Sequence, residues 1–445
     1  MQLNSPEFER RPTTGAAGAV RAGLAAAACA LLSAMPTLAA PTQIDGEMLV
    51  YTEPGRVTAV ETVFDGARES NEGGSYSLRL AIDALTGASA NGAVPAGRVQ
   101  TFTKPSGQGS YTVNPGDTPV DPTFKDTRVA GSGTWIHPLG RMDKLNLGAN
   151  LSYEFDYLSL GLSGGLSRDF ALHNSTLAAS LSYSHDIVRP VGGAPDPFTA
   201  MLPPTPGEGE RTAEDDEGGG ESGPGQGKDV GDFLLSFTQV VDRATIVRVN
   251  YTAGIASGYL TDPYKILSVV QAPDGALPGD PVEYLFEHRP DRRTKQSVYG
   301  ELRRHIGRNV AGVSYRYYWD TWAVHSSTAD LHLSLPLGKW NALEPHYRYY
   351  HQQQADFYTA FLVSGQPLPS YASADYRLGT FRADTIGLEA VHTFHSGPAI
   401  RAGLEYYLQR GDSSPPEAFG ALATQDLFPD VSAWMVRLGA SVPID

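Results

Sequence analysis

Period-two alternation of apolar and polar side chains, repeated along most of the chain, is the feature that most limits what this sequence can fold into. In residues 144–155, KLNLGANLSYEF, the row Leu145, Leu147, Ala149, Leu151, Tyr153 and Phe155 alternates with Asn146, Gly148, Asn150, Ser152 and Glu154. In residues 400–409, Ile400, Ala402, Leu404, Tyr406 and Leu408 alternate with Arg401, Gly403, Glu405, Tyr407 and Gln409. Residues 328–338 set Leu331, Leu333, Leu335 and Leu337 against Asp330, His332 and Ser334. Successive strand side chains point to opposite faces, so each segment reads as a strand with one apolar and one polar side. A soluble sandwich would bury the apolar rows in a core, whereas a membrane barrel would turn them to lipid.

Connection lengths separate the two. The pattern predicts strands near 75–83, 128–137, 145–153, 158–166, 176–185, 232–241, 244–255, 293–306, 310–320, 323–337, 343–353, 381–395, 400–410 and 431–442. Every second connection is short: PLGRMDK, SRDFALHNS, DR, GRN, GKWNA and SGPA. The intervening ones include long segments at 84–127, 186–231, 256–292, 354–380 and 411–430, with tight exceptions at 154–157 and 320–322. Outer-membrane barrels have this one-sidedness, with short periplasmic turns and long external loops. The expected fold is therefore all-β, a single transmembrane antiparallel barrel spanning residues 75–445. It has fourteen strands, or sixteen if LVYTEPGRVTAVETVF (49–64), with its Pro-Gly turn, adds a hairpin. Residues 40–74 are either that hairpin or a periplasmic segment.

Aromatic clusters sit at one height in this scheme. In YRYYHQQQADFY (347–358), Tyr347 and Tyr349 fall on the apolar side, while His346, Arg348 and Tyr350 fall on the other. Similar clusters occur at YRYYWDTW (315–322) and LEYYLQR (404–410). Amphipathic rings gather at membrane interfaces, so the three together suggest a girdle.

The first residues point to export. Arg10, Arg11 and Arg21 precede AGLAAAACALLSAM, and small residues follow through Ala40, which reads as a signal peptide over residues 1–39. The single cysteine, Cys29, lies inside it. A mature chain without cysteine has no disulfide or thiolate chemistry available. No later segment has the apolar length of a membrane helix. A net charge of −15 argues against a general nucleic-acid binder. The acidic stretch within 203–229 reads as a low-complexity solvated loop without calcium-loop spacing.

Several stretches carry a family resemblance: LTGASANGA (85–93), QTFTKPSG (100–107), DPTFKDTR (121–128), GYLTDPYK (258–265), EHRPDRR (287–293), SYRYYWDTW (314–322), QADFY (354–358) and ASADYRL (372–378). The chain resembles the bacterial family called domain of unknown function 3570. The resemblance implies an outer-membrane β-barrel without an established activity. It also implies an association with periplasmic flavin attachment, hence with extracytoplasmic electron transfer. Outer-membrane barrels commonly end in an aromatic residue, whereas this chain ends SVPID.

Candidate functional residues fall in two groups. The polar phase places Arg79, Arg248, Glu301, Arg303, Arg316, Asp330, His332, Glu344, His346, Arg348, Glu389, Arg401, Glu405 and Arg437 in the lumen. These residues either fill the interior with salt bridges and bound water, the favoured reading for any one of them, or form a selectivity surface, and mixed signs argue against a strongly selective pore. The family-like segments place Asp262, Tyr264, Lys265, Glu287, His288, Arg289, Asp291, Asp356, Asp375, Tyr376 and Arg377 at the external mouth. These either bind a cation or polar ligand, or fold the loops over the mouth by ion pairs; loop folding is the favoured reading.

GLSGG (161–165) matches G-x-S-x-G, but Ser163 lies in a predicted strand without the following helix a nucleophile elbow needs. GQGKD (225–229) lacks the Ser or Thr of a phosphate loop. No catalytic set and no cofactor are expected. The expected partners are outer-membrane lipid and a small polar solute or ion, passed or bound by the barrel. The alternative is a closed scaffold for a periplasmic or surface redox partner.

Overall fold

A computed structural model describes residues 42–70, 73–87, 90–103, 110–190, 192–202 and 225–444. The expected signal peptide lies outside the described residues, as does most of the acidic loop. Twenty-one strands occur among the described residues. The first seven are β1 (Thr42–Glu53), β2 (Val57–Glu69), β3 (Ser75–Thr86), β4 (Gln100–Thr103), β5 (Ser110–Val113), β6 (Lys125–Pro138) and β7 (Asp143–Tyr153). Next come β8 (Tyr157–Phe170), β9 (Ser175–Val188), β10 (Gln226–Asp242), β11 (Thr245–Gly258), β12 (Ile266–Val270), β13 (Pro281–Phe286) and β14 (Arg292–Ile306). The last are β15 (Asn309–Asp320), β16 (His325–Leu337), β17 (Asn341–Gln352), β18 (Leu362–Val363), β19 (Phe381–Thr393), β20 (Ala399–Gly411) and β21 (Val431–Ile444).

Sixteen of these strands close an antiparallel barrel in chain order: β1–β3, β6–β11, β14–β17 and β19–β21. Closure is made by β1 against β21, in register from Thr42↔Ile444 to Thr52↔Trp434. A bilayer offers no hydrogen-bond partner to a free sheet edge, and closure removes every edge. The sixteen-strand alternative is therefore the correct one. Residues 42–69 form the first hairpin, and its turn explains Pro54-Gly55. Arg56 N–H donates to Glu53 C=O at 3.1 Å across the turn. Gly55 has φ +76°, the left-handed conformation that a type II turn requires after its proline.

The apolar rows face outward. Leu162, Leu181 and Ile386 are 67%, 65% and 64% exposed, a state that water would penalise across so many rows and that lipid would not. Tyr315, Tyr317, Tyr347 and Tyr349 are exposed on the outer face, and Tyr406 packs on Trp434 with centroids 4.7 Å apart. Within the same segments Tyr318, Tyr350 and Tyr407 occupy the alternate, inward phase. Each donates to the polar residue two positions on: Asp320, Gln352 and Gln409.

Two sequence expectations need correction. First, β10 begins at Gln226, so Lys228 and Asp229 belong to a strand, not to the acidic loop. Lys228 earns that place by pairing with Asp186 of β9 at 3.1 Å. Second, the long external segments, expected as loops folded over the mouth, carry secondary structure that the alternation did not predict. They fold together into a cap with a three-stranded sheet β13-β12-β18, a hairpin β4-β5 and two short 3-10 turns. The buried apolar clusters all draw on this cap, for example Leu267, Val269, Leu285, Ala372 and Ala374. Every residue of β12 is buried. With both faces covered the strand, Ile-Leu-Ser-Val-Val, carries apolar residues on both phases instead of alternating, which period-two reading passes over. The cap is seated on the wall through Tyr376 and Phe428, which pack with Phe381 and Tyr407 of β19 and β20.

Candidate functional site

Two polar assemblies follow one another along the barrel axis: a charged wall in the lumen and a buried ion network in the cap.

The wall is built on β14–β17, β19–β21 and β1, where alternation sends one polar residue inward every second position. Strand register then decides the partners. Asp330 stands opposite Arg348, and His332 opposite His346, across β16 and β17. Arg348 Nε donates to Asp330 Oδ2 at 2.6 Å. The other carboxylate oxygen of Asp330 lies 2.6 Å from His332 Nε2 and 3.1 Å from His346 Nε2. The two imidazoles stack, with centroids 4.1 Å apart and planes 8° from parallel. His346 Nδ1 lies 3.6 Å from Glu405 Oε1. Arg437 continues the chain to Glu405 and Glu389, each at 3.7 Å, and to Glu47 at 3.0 Å.

On the other flank Glu301 pairs with Arg303 at 2.5 Å and with Arg248 at 3.7 Å. Glu344 accepts from Ser334 Oγ at 3.0 Å and stands opposite Glu389. A cavity of about 490 Å³ opens along this wall, lined among others by Glu301, Arg303, Arg316, Asp330, His332 and Arg348. A smaller one, about 120 Å³, lies beside it between His332, His346, Glu389, Glu405 and Arg437. Arg401 has Cβ beside Gly439 on β21, the strand that carries Arg437. Arg79 stands apart, 3.6 Å from Asp65 on β2.

In the cap, six of the mouth residues meet. Arg289 lies 2.5 Å from Glu287 and 2.9 Å from Asp375. Arg377 bridges Asp375 at 2.6 Å and Asp262 at 2.7 Å. Lys265 Nζ donates to Ala90 C=O at 2.5 Å and lies 5.9 Å from the Tyr376 ring centroid. Glu287 further accepts from the Asp262 N–H at 2.8 Å and from the Ser373 hydroxyl. Three carboxylates thus face three cations, and the side chains of Glu287 and Asp375 are 0% and 1% exposed. Burial of charge on this scale requires such pairing. Burial opposes ionisation of Asp375, yet the Lys265, Arg377 and Arg289 charges hold its carboxyl well below the usual range. At Glu287 burial wins over Arg289, with Asp262 and Asp375 adding to it, and the carboxyl is pushed up to about 7.

The remaining mouth residues lie around this network. Tyr264 OH donates to Asp156 at 2.5 Å. The His288 ring packs between Phe198 and Tyr371, at 5.5 and 4.8 Å. Asp291 and Asp356 stay at the surface and make no ion pair in the network. Beneath loop 259–264 a third cavity, about 570 Å³, is lined by Glu154, Asp156, Lys228, Arg293 and Arg377.

Sequence reading missed Arg293, Asp320 and Trp322, which pin the tight turn after β15. Asp320 accepts from Arg293, Tyr318 and the backbone of Trp322 and Val324. The Arg293 guanidinium lies 4.3 Å from the Trp322 ring centroid. The available signal was DTW itself, an Asp at a turn start followed by an aromatic. Ser163 lies mid-strand in β8, opposite Gly148 and Ser182, with strands on both sides.

The Glu287 shift gives a pH dependence. An unfolded Glu titrates near 4.5, so between about 4.5 and 7 the folded cap holds a proton that the opened cap releases. The cap is thus expected to lose stability as pH rises through that window. Below about 3.8 it loses the separate contribution of Asp375, whose folded value is depressed. Hydrogen exchange of residues 259–291 at pH 5 and 7.5 measures the first effect. Glu287→Gln should flatten the slope between them.

Comparison with solved structures gives matches of low sequence identity, three of which follow. The siderophore receptor PirA from Acinetobacter baumannii is 10% identical with TM-score 0.39, covering 84% of this chain and 53% of that one. A ferric enterobactin receptor, PfeA, from Pseudomonas aeruginosa is 10% identical with TM-score 0.42, covering 91% and 60%. A bacterial polysaccharide outer membrane secretin is 8% identical with TM-score 0.40, covering 90% and 97%. This chain thus spans between half and two thirds of the length of those two receptors. Among curated proteins no sequence matches. A family model does match, across residues 21–442, and by that match this outer-membrane β-barrel belongs to the family described as "Protein of unknown function (DUF3570)".

Proposed function

We propose that the protein is a capped conduit in the outer membrane of a Gram-negative bacterium, exported with a cleaved signal peptide, that passes or binds a small polar solute or ion. The observation that carries this reading is the polar cavity of about 490 Å³ along the charged lumen wall. A barrel serving only as a scaffold has no need of solvent-lined space beside Arg303, Arg316, Asp330 and Arg348. The mixed charge of that wall suits a zwitterionic or weakly charged solute better than a strongly selected ion. The folded cap over the outer mouth supplies a gate, because external loops that pack on their own cores restrict entry. We read the protein as a transport or binding protein and not as an enzyme. Ser163 is held in a continuous strand, without the turn and helix that expose a nucleophile.

Planar-bilayer recording of the folded barrel tests the reading. Discrete conductance steps with weak ion preference are expected. Arg316→Glu, which reverses one cavity-lining charge, should shift permeability toward cations by several fold, and Arg348 or Glu405 substitutions should alter the step size. Folded protein that inserts and shows no steps above background would overturn the conduit. Co-purification with a redox partner from native membranes would then support the scaffold instead.

A further inference from the structure

We infer that Asp330, His332 and His346 form a binding site for one divalent first-row transition ion on the lumen wall. The inference is independent of conduction, since it concerns equilibrium binding to the folded barrel.

Three observations carry it. First, the donor atoms converge. One ligand atom from each residue lies within 4.8 Å of the others, and both imidazoles turn Nε2 toward the same carboxylate oxygen, at 2.6 and 3.1 Å. Ligands at 2.0–2.2 Å from one ion stand roughly 3.0–3.4 Å apart, so the Asp330 oxygen lies near ligand spacing from both nitrogens, and a turn of the stacked rings about χ2, which the exposed His332 is free to make, aims both Nε2 atoms at one ion. Two imidazoles and a carboxylate suit zinc, iron and their neighbours, and not the hard ions that demand oxygen alone.

Second, the outer partners are those of a metal site. Arg348 occupies Asp330 Oδ2 at 2.6 Å and so presents Oδ1 to the histidines. Glu405 lies 3.6 Å from His346 Nδ1, the nitrogen facing away from the site. A carboxylate on that side is placed to accept an Nδ1 proton once an ion holds Nε2. In the metal-bound form each histidine is neutral and carries its one ring proton on Nδ1, beside Glu405 for His346 and lumen water for the more exposed His332. A histidine that held a second proton releases it to lumen water, and the Asp330 and Glu405 carboxylates offset the charge of the ion.

Third, the site is open. The His332 side chain is 61% exposed, and His332 lines both the 490 Å³ and the 120 Å³ cavities. Three protein ligands leave positions on the ion for water or an incoming solute, as at an open metal site.

The test uses the full mature barrel, without an affinity tag, refolded in detergent and washed with chelator. Co²⁺ is the probe because its visible absorption reports nitrogen and oxygen ligands directly. We expect one equivalent bound, displaced by Zn²⁺ and not by millimolar Mg²⁺ or Ca²⁺. Glu405→Gln should weaken binding about 10-fold through the outer shell. His332→Ala and His346→Ala should each weaken it by more than about 100-fold, beyond the outer-shell range. Because His332 projects into the lumen, His332→Ala should keep the heat-modifiable gel mobility of a folded barrel. One equivalent of Co²⁺ bound unchanged by folded His332→Ala, or no stoichiometric uptake by the wild type, would overturn the site.

Discussion

Asp375→Ala is expected to release the cap from the barrel mouth. Asp375 is buried, accepts from Arg289 at 2.9 Å and from Arg377 at 2.6 Å, and also accepts from the Arg377 backbone N–H at 3.1 Å. Removing it leaves Lys265, Arg289 and Arg377 facing only Asp262 and Glu287, with Lys265 and Glu287 buried, Arg289 nearly so, and Arg377 reaching solvent at one edge. Breaking a buried pair by deleting one partner costs about 3–5 kcal/mol, because the remaining charges lose their compensation. That corresponds to an increase of roughly two to three and a half orders of magnitude in the cap-opening equilibrium. The cost falls on the cap alone, since barrel closure depends on strand pairing elsewhere. Limited proteolysis should therefore cut residues 353–380 rapidly in the variant while heat-modifiable mobility of the barrel persists. If the cap gates the lumen, conductance should rise several-fold in the same protein. Protection equal to wild type would mean that apolar packing, and not the ion network, holds the cap.

Leu388→Arg should cost about 2–4 kcal/mol of folding stability in lipid, whereas Ser314→Arg should cost little. Leu388 is 46% exposed on the outer face and stands opposite Leu404. A charged head there must leave hydrocarbon by snorkelling or by drawing water inward. Ser314 lies on the inward phase, flanked across the sheet by Glu301 and Asp330, so an added guanidinium meets water and two carboxylates. Urea-induced unfolding from vesicles, followed by gel mobility, measures both. Equal costs, or a tolerated Leu388→Arg, would remove the ground for placing the Leu rows in lipid.

The barrel was legible in the sequence because its signals are local. Alternation such as Leu145 to Tyr153 needs only neighbouring residues, and the connection lengths alternate along the chain whatever the partners. The first hairpin stayed ambiguous because VTAVETVF mixes apolar and polar residues on both phases, and β1–β21 pairing across the whole chain decided it. Ser373 and Glu287 meet across 86 positions, and Arg377 and Asp262 across 115. No periodicity announces such contacts, since which external segment packs on which depends on where the barrel wall sets their ends.

Sequence alone fixed the inward phase of Asp330, His332, His346 and Arg348, because strand side chains repeat every two residues. It could not bring the two histidines face to face. The short turn Gly338-Lys339-Trp340 did that, by pairing Leu337 with Asn341 and so carrying His332 onto His346. Register is a property of two strands and the turn between them, and a shift of one residue would have set each histidine against the opposite face. The balanced charge of the cap likewise belongs to the assembled structure, where burial of Glu287, Asp375 and Lys265, with Arg289 nearly buried beside them, makes the carboxylates and cations depend on one another.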